Sequence, residues 1–255
     1  EGRNISTLIL ENLSYGFQNE TPIIDELSHS FPKNKTVSII GHSGCGKSTL
    51  LQLISGVKKP LKGKIVLENH QNRLGEIAYM QQKDLLLPWL NVKENVLLPL
   101  KIKNKINSKS YDDMIEKSKI LGIYKFLTYY PSELSGGLRQ RVAFLRTILQ
   151  DSNLILLDEP FASLDAIKRL EIYNWIENLK DYINKSIILV THDIEEAIFL
   201  SDQIIVMDSG KNNFKFIVDI KTPHPRNTNF IVENKFIELK KELIKKLDEV
   251  KHLND

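Results

Sequence analysis

The sequence predicts an α/β protein: a parallel sheet covered by helices, with an antiparallel β-subdomain before it and a helical insertion within it. Three observations carry this reading. The last third alternates strand-like and helix-like stretches (154–157, 166–182, 186–191, 194–200 and 203–207), which is βαβ alternation. A short apolar run at 37–40 ends in a glycine-rich loop and passes into a helical stretch at 47–54. Residues 85–149, by contrast, read as helices.

The elements follow in order. Stretches 7–15 and 27–31 are β-rich, and 64–68 and 77–80 read as two more strands. Helices are expected at 91–100, 111–121 and 137–149, with Pro131 breaking between the last two. Beyond the alternating region, Thr222-Pro223-His224-Pro225 reads as a linker. After it, Phe236, Leu239, Leu243, Leu247 and Val250 form one stripe of an amphipathic helix. The division expected is a first domain over 5–222, carrying the insertion, and a C-terminal linker with its helix over 223–255.

Composition narrows the class. The chain has 255 residues, 42% of them hydrophobic, enough for one large core or two small ones. Net charge is +3, too even a balance to expect nucleic acid as a partner. A single cysteine, Cys45, excludes an internal disulfide. No apolar run approaches the roughly 18 residues a membrane helix needs, and no secretory signal is recognised. A role at a membrane would need another chain to hold this one there.

Gly41, His42, Ser43, Gly44, Cys45, Gly46, Lys47 and Ser48, followed by Thr49, fill every place of the phosphate-loop pattern between a strand and a helix. Glycines let the backbone turn its N–H groups toward phosphates, and the helix N-terminus adds partial positive charge. The pattern expects ATP here, with Lys47 bridging the β- and γ-phosphates and Ser48 ligating Mg²⁺. Leu154-Ile155-Leu156-Leu157-Asp158-Glu159 puts two carboxylates at the end of a buried strand, where ligands collect in such sheets. Asp158 would hold Mg²⁺ and Glu159 would act as general base. Neighbouring strand residues point to opposite faces, so the chain is expected to turn at Pro160 to aim both inward. His192, at the end of the next strand, is placed for a γ-phosphate contact.

Leu134-Ser135-Gly136-Gly137 lies between these motifs at the head of a helix. With Ser163-Leu164-Asp165 and His192, the set resembles the ATP-binding subunit of an ABC transporter, from about residue 7 to about residue 219. The resemblance implies a P-loop NTPase (RecA-like) core and a homodimer closed around ATP. Ser135, Gly136 and Gly137 would meet nucleotide held by the other copy, with Asp165 at the seam. Gln82 resembles the glutamine that senses Mg²⁺ and the attacking water, with Gln81 as the competing position. Phe17 resembles the aromatic that stacks on adenine, with Tyr15 as the alternative. Membrane permease subunits are implied as partners, a substrate-binding protein indirectly, and the cytoplasmic face of the membrane as the location. The Leu85–Trp89 stretch is the expected docking surface. Leu138 after the signature, followed by Arg139-Gln140-Arg141, resembles the importer branch serving nitrate, sulfonate and taurine. An exporter subunit and a soluble ABC ATPase are the alternatives.

Overall fold

The structure is a computed structural model and describes residues 6–16, 21–68, 73–162, 166–210 and 212–252. Strands β1 (Ser6–Tyr15) and β2 (Ile24–Pro32) lead to β3 (Thr36–Ile40), the glycine loop and helix α1 (Lys47–Ile54). β4 (Lys62–Leu67) and β5 (Ala78–Met80) follow. Then come α2 (Val92–Ile102), α3 (Ser108–Ile120) and α4 (Gly136–Ile148). The chain returns through β6 (Leu154–Asp158), α5 (Ala166–Ile183), β7 (Ser186–Val190), α6 (Ile194–Leu200), β8 (Gln203–Met207) and β9 (Phe214–Asp219) to α7 (Asn234–His252).

Two sheets result. β2-β1-β4 is antiparallel, and β5-β6-β7-β3-β8-β9 is parallel except for its edge strand β9. β3, β6 and β7 are buried along their whole length, so apolar side chains feed both faces of the large sheet. Alternate residues separate cleanly. Leu154, Leu156, Ile188 and Val190 join α1 and the antiparallel sheet in one core. Ile155, Leu157, Ile187 and Leu189 join the helices of the insertion and the C-terminal helix in the other.

Helix starts follow local chemistry. Asn91 and Asn107 each accept a hydrogen bond from the third helical residue in a capping box, so α2 and α3 begin after an asparagine. The sequence pattern does not mark strand β9, because Phe214-Lys215-Phe216-Ile217 pairs on one edge only and is half exposed. The stretch expected as a linker is instead pinned to the core. His224 Nδ1 lies 2.6 Å from Glu177 Oε2, and buried Arg226 donates to the carbonyls of Ile198, Phe199 and Ser201. Proline spacing does not reveal such tertiary hydrogen bonds.

Candidate nucleotide site

The glycine loop joins β3 to α1, and its glycines answer to space and dihedral angle. A Cβ on Gly41 would come within 2.1 Å of the Met207 carbonyl oxygen at the end of β8. Gly44 sits at φ 85°, which side chains rarely tolerate. Lys47 is buried, and its ammonium donates to the carbonyls of Gly41 at 2.9 Å and His42 at 2.8 Å. Cys45 is buried beside it, 3.8 Å from Nζ, and burial pushes its thiol pKa up. Ser43, Gly44, Gly46, Lys47, Ser48 and Glu159 line an open pocket of about 230 Å³.

Glu159 lines this pocket, and Asp158 reaches its edge through Ser48. Asp158 Oδ1 accepts from Ser48 Oγ at 3.0 Å, and Oδ2 accepts from the Tyr79 hydroxyl at 3.2 Å. Burial holds the Asp158 pKa above the usual carboxylate range, while the Ser48 and Tyr79 hydrogen bonds pull it back. Glu159 turns inward as the chain bends through Glu159 and Pro160. Glu159 sits at φ 46°, and its carbonyl accepts from the Ala162 N–H at 3.4 Å, which closes a turn over Pro160. The Glu159 N–H donates to the Val190 carbonyl at 2.8 Å, which ties this left-handed residue to the end of β7. Its Oε2 then accepts from Gln82 Nε2 at 3.0 Å and lies 3.5 Å from His192 Nδ1. Of the two candidate glutamines, Gln82 is therefore the one that reaches the carboxylate. Tyr79 has no motif signal; its role is visible only because β5 pairs with β6.

His192 is exposed and stands on a stiff turn. Asp193 caps α6, its carboxylate accepting from the N–H groups of Glu195 and Glu196. The Thr191 hydroxyl accepts from the Asp193 N–H and donates to the buried carboxyl of Glu196. Burial pushes the Glu196 pKa up to about 8, helped by the charge on Asp193. The folded state then holds this proton at pH values where the unfolded chain has released it. Glu196 must therefore cost stability as pH rises from about 4.5 to about 8. Glu196→Gln should melt several degrees above the parent at pH 8 and close to it at pH 5, as about 1–2 kcal/mol would produce in a chain of this size. Calorimetric melting curves at the two pH values check this; an offset equal at both would exclude the titration.

The signature residues stand elsewhere. Ser135 caps α4, its hydroxyl accepting from the Leu138 N–H at 3.4 Å, and Ser135 and Gly136 are exposed. None of Ser135, Gly136 or Gly137 lines the phosphate-loop pocket. Arg139 on α4 donates to the Leu134 carbonyl at 2.8 Å and pairs with Asp84 at 3.1 Å. Arg146 donates to the carbonyls of Asp84 at 2.6 Å and Leu85 at 2.8 Å. The helix that begins at the signature is thus tied to the loop that follows Gln82. A larger cleft of about 560 Å³ lies away from this chemistry, between α3 and the end of α4. Lys185 in it donates to the Ile148 and Gln150 carbonyls, closing the end of α4. Phe17 and the 163–165 segment with Asp165 lie outside the described residues.

A sequence profile described as ABC transporter matches residues 24–162, from the start of β2 to just past Glu159. The chain belongs to the ABC transporter ATP-binding family. Relatives agree along most of its length. It is 41% identical over 199 residues to the formylaminopyrimidine import ATP-binding protein ThiZ of Halalkalibacterium halodurans, covering 78% of each chain. It is 33% identical over 247 residues to the aliphatic sulfonates import ATP-binding protein SsuB of Bacillus cereus, covering 95% of this chain and 96% of that one. A dimeric ATP-binding cassette solved in a post-hydrolysis state with ADP and Pi superposes with a TM-score of 0.73 at 27% identity, over 85% of this chain and all of that one. This ABC ATPase binds and hydrolyses ATP. Among the described residues, no helix is long and apolar enough to cross a membrane.

Proposed function

We propose that the protein is the ATPase subunit of an importer for a small organic solute or anion, and that it works as a homodimer closed around ATP. The observation that carries the dimer is the one-sided site. Lys47, Ser48 and Glu159 line one pocket and hold Asp158, Gln82 and His192 against them by direct contacts, while Ser135 to Gly137 head a helix with no such link to it. A second copy placing its signature over this pocket completes the set. The importer reading rests on the relatives' names, two import subunits for nitrogen- or sulfur-bearing organic solutes. Permease subunits would hold the chain at the cytoplasmic face of the membrane. Exposed Leu85 and Trp89, beside Gln82, would meet them, and a binding protein would deliver solute on the far side.

The residues fit Mg²⁺ as cofactor. The Ser48 hydroxyl and the Asp158 carboxylate offer two hard oxygen donors 3.0 Å apart beside the phosphate loop. Among the described residues no cluster of three or more acidic, His or Cys side chains could cage a metal. That suits an ion taking most of its ligands from phosphate and water. Bound there, Mg²⁺ would neutralise β- and γ-phosphate oxygens. Lys47 leaves the Gly41 and His42 carbonyls for those same oxygens. Gln82 and His192 hold Glu159 from either side, so Glu159 can accept a proton from a water lined up on the γ-phosphorus. Phe17 would stack on adenine.

The shared site is tested by mixing. Ser135→Arg blocks the signature face and Glu159→Gln blocks the base, each damaging a different half. In a mixed dimer the Glu159 of the first copy faces the intact Ser135 of the second, and the other site carries both changes. Each variant alone should turn over little ATP, and the mixture should recover a clear fraction of the parental rate in a phosphate-release assay. A mixture no more active than its two parts would sink the in-trans arrangement.

A further inference from the structure

The C-terminal helix α7 is held by more than its apolar stripe. Phe236, Leu243 and Val250 are buried in the helical core, as an amphipathic helix requires. Two polar contacts lie beyond that need, and both reach elements that carry nucleotide-facing residues. His42 Nε2 lies 3.3 Å from the Leu247 carbonyl oxygen. A carbonyl only accepts, so Nε2 carries the hydrogen and donates. Lys240 Nζ pairs with Glu195 Oε1 at 2.5 Å. Glu195 is in the first turn of α6, three residues after His192. The same C-terminal segment grips the far end of α6 through Arg226, on the carbonyls of Ile198, Phe199 and Ser201.

We propose that α7 is a positioning strap for the nucleotide site. Through the Leu247 carbonyl on His42 and through Lys240 on Glu195, it fixes the phosphate loop and the His192 turn relative to each other. The two elements also connect through the neighbouring strands β3 and β7. A strap across their ends holds the γ-phosphate contacts in one geometry before ATP arrives. The proposal rests on the reading of His42 and His192 as nucleotide-facing.

The experiment uses the full chain and steady-state ATPase kinetics, with melting curves alongside. Lys240→Glu sets two carboxylates against each other and should lower kcat about three-fold, the scale of a partly exposed ion pair. Glu195→Lys combined with Lys240→Glu restores an opposite pair and should bring kcat back to within about 1.5-fold. Leu247→Pro kinks the helix and displaces its carbonyl, and should raise the KM for ATP about ten-fold. Leu247→Ala trims the side chain but keeps the carbonyl, so KM should stay within about two-fold of the parent. A merely structural strap would lower melting in both Leu247 variants and leave KM alike in both, which overturns the proposal. So does a charge swap that restores nothing. If Lys47→Ala abolishes ATP binding while Leu247→Pro leaves KM unchanged, the site reading stands and the strap falls. If Lys47→Ala binds normally, the site reading fails first.

Discussion

Glu159→Gln should bind ATP with near-parental affinity and turn it over about 10²–10³-fold more slowly, as loss of a general base predicts. The geometry explains why the loss falls on chemistry and not on binding. Glu159 is one wall of the phosphate pocket, but its Oε2 is taken by Gln82 at 3.0 Å and faces His192 at 3.5 Å. Its neighbours are therefore the residues that would aim a water, while Lys47 and the loop backbone would hold the phosphates. The amide keeps the size and can still accept from Gln82, yet it cannot take a proton. ATP that cannot be cleaved should hold two copies together, because each nucleotide would contact both. Light scattering should accordingly give a dimer for Glu159→Gln with ATP and a monomer without it. A variant that stays monomeric with ATP, or keeps full turnover, removes Glu159 from the role of base. Glu159 also sits at φ 46°, a conformation that costs any side chain a little. Glu159→Gly should relieve that cost and melt no lower than the parent while losing the same turnover, which separates strain from catalysis.

The sequence and the structure agree where the chemistry is local. The phosphate loop needs eight consecutive residues between a strand and a helix, and both flanks are present. Fully buried β3, β6 and β7 announce themselves as unbroken aliphatic runs. What could not be read depends on contacts between distant segments. Asp158 and Glu159 are adjacent in sequence, and alternation along a strand predicts opposite faces. A turn at Pro160 is expected to resolve this, but the left-handed Glu159 and its hydrogen bond to the Val190 carbonyl on β7 are not legible beforehand. Tyr79 comes to Asp158 because β5 pairs with β6, and nothing at 79 marks it beforehand. The Thr222–Pro225 stretch carries two prolines and reads as a spacer, yet Glu177 on α5 captures His224 there. β9 fails for the opposite reason: an edge strand buries little, so its apolar pattern is weak. The signature illustrates a further limit. Its sequence is the most specific in the chain, but a single copy places Ser135 at an exposed helix cap outside its own phosphate-loop pocket.

Lys47→Ala should weaken ATP binding at least about 100-fold, close to 2.7 kcal/mol by the usual conversion. Among the described residues, Lys47 is the one Lys or Arg lining the phosphate-loop pocket, and its ammonium sits inside the loop on the Gly41 and His42 carbonyls. Two neutral carbonyls offer the ammonium only dipoles. Triphosphate oxygens carry full charge and accept charge-assisted bonds, so Lys47 gains by moving to them. Alanine removes that gain and leaves two carbonyls that water in the open pocket can satisfy. The fold should therefore survive, with circular dichroism unchanged, while titration calorimetry with ATP gives little heat. Lys47→Arg keeps the charge but carries a planar fork where the loop encloses a compact ammonium, so it should recover only part of the affinity. Unchanged ATP affinity in Lys47→Ala would contradict the phosphate-loop assignment, because among the described residues no other Lys or Arg lines that pocket to take over its charge.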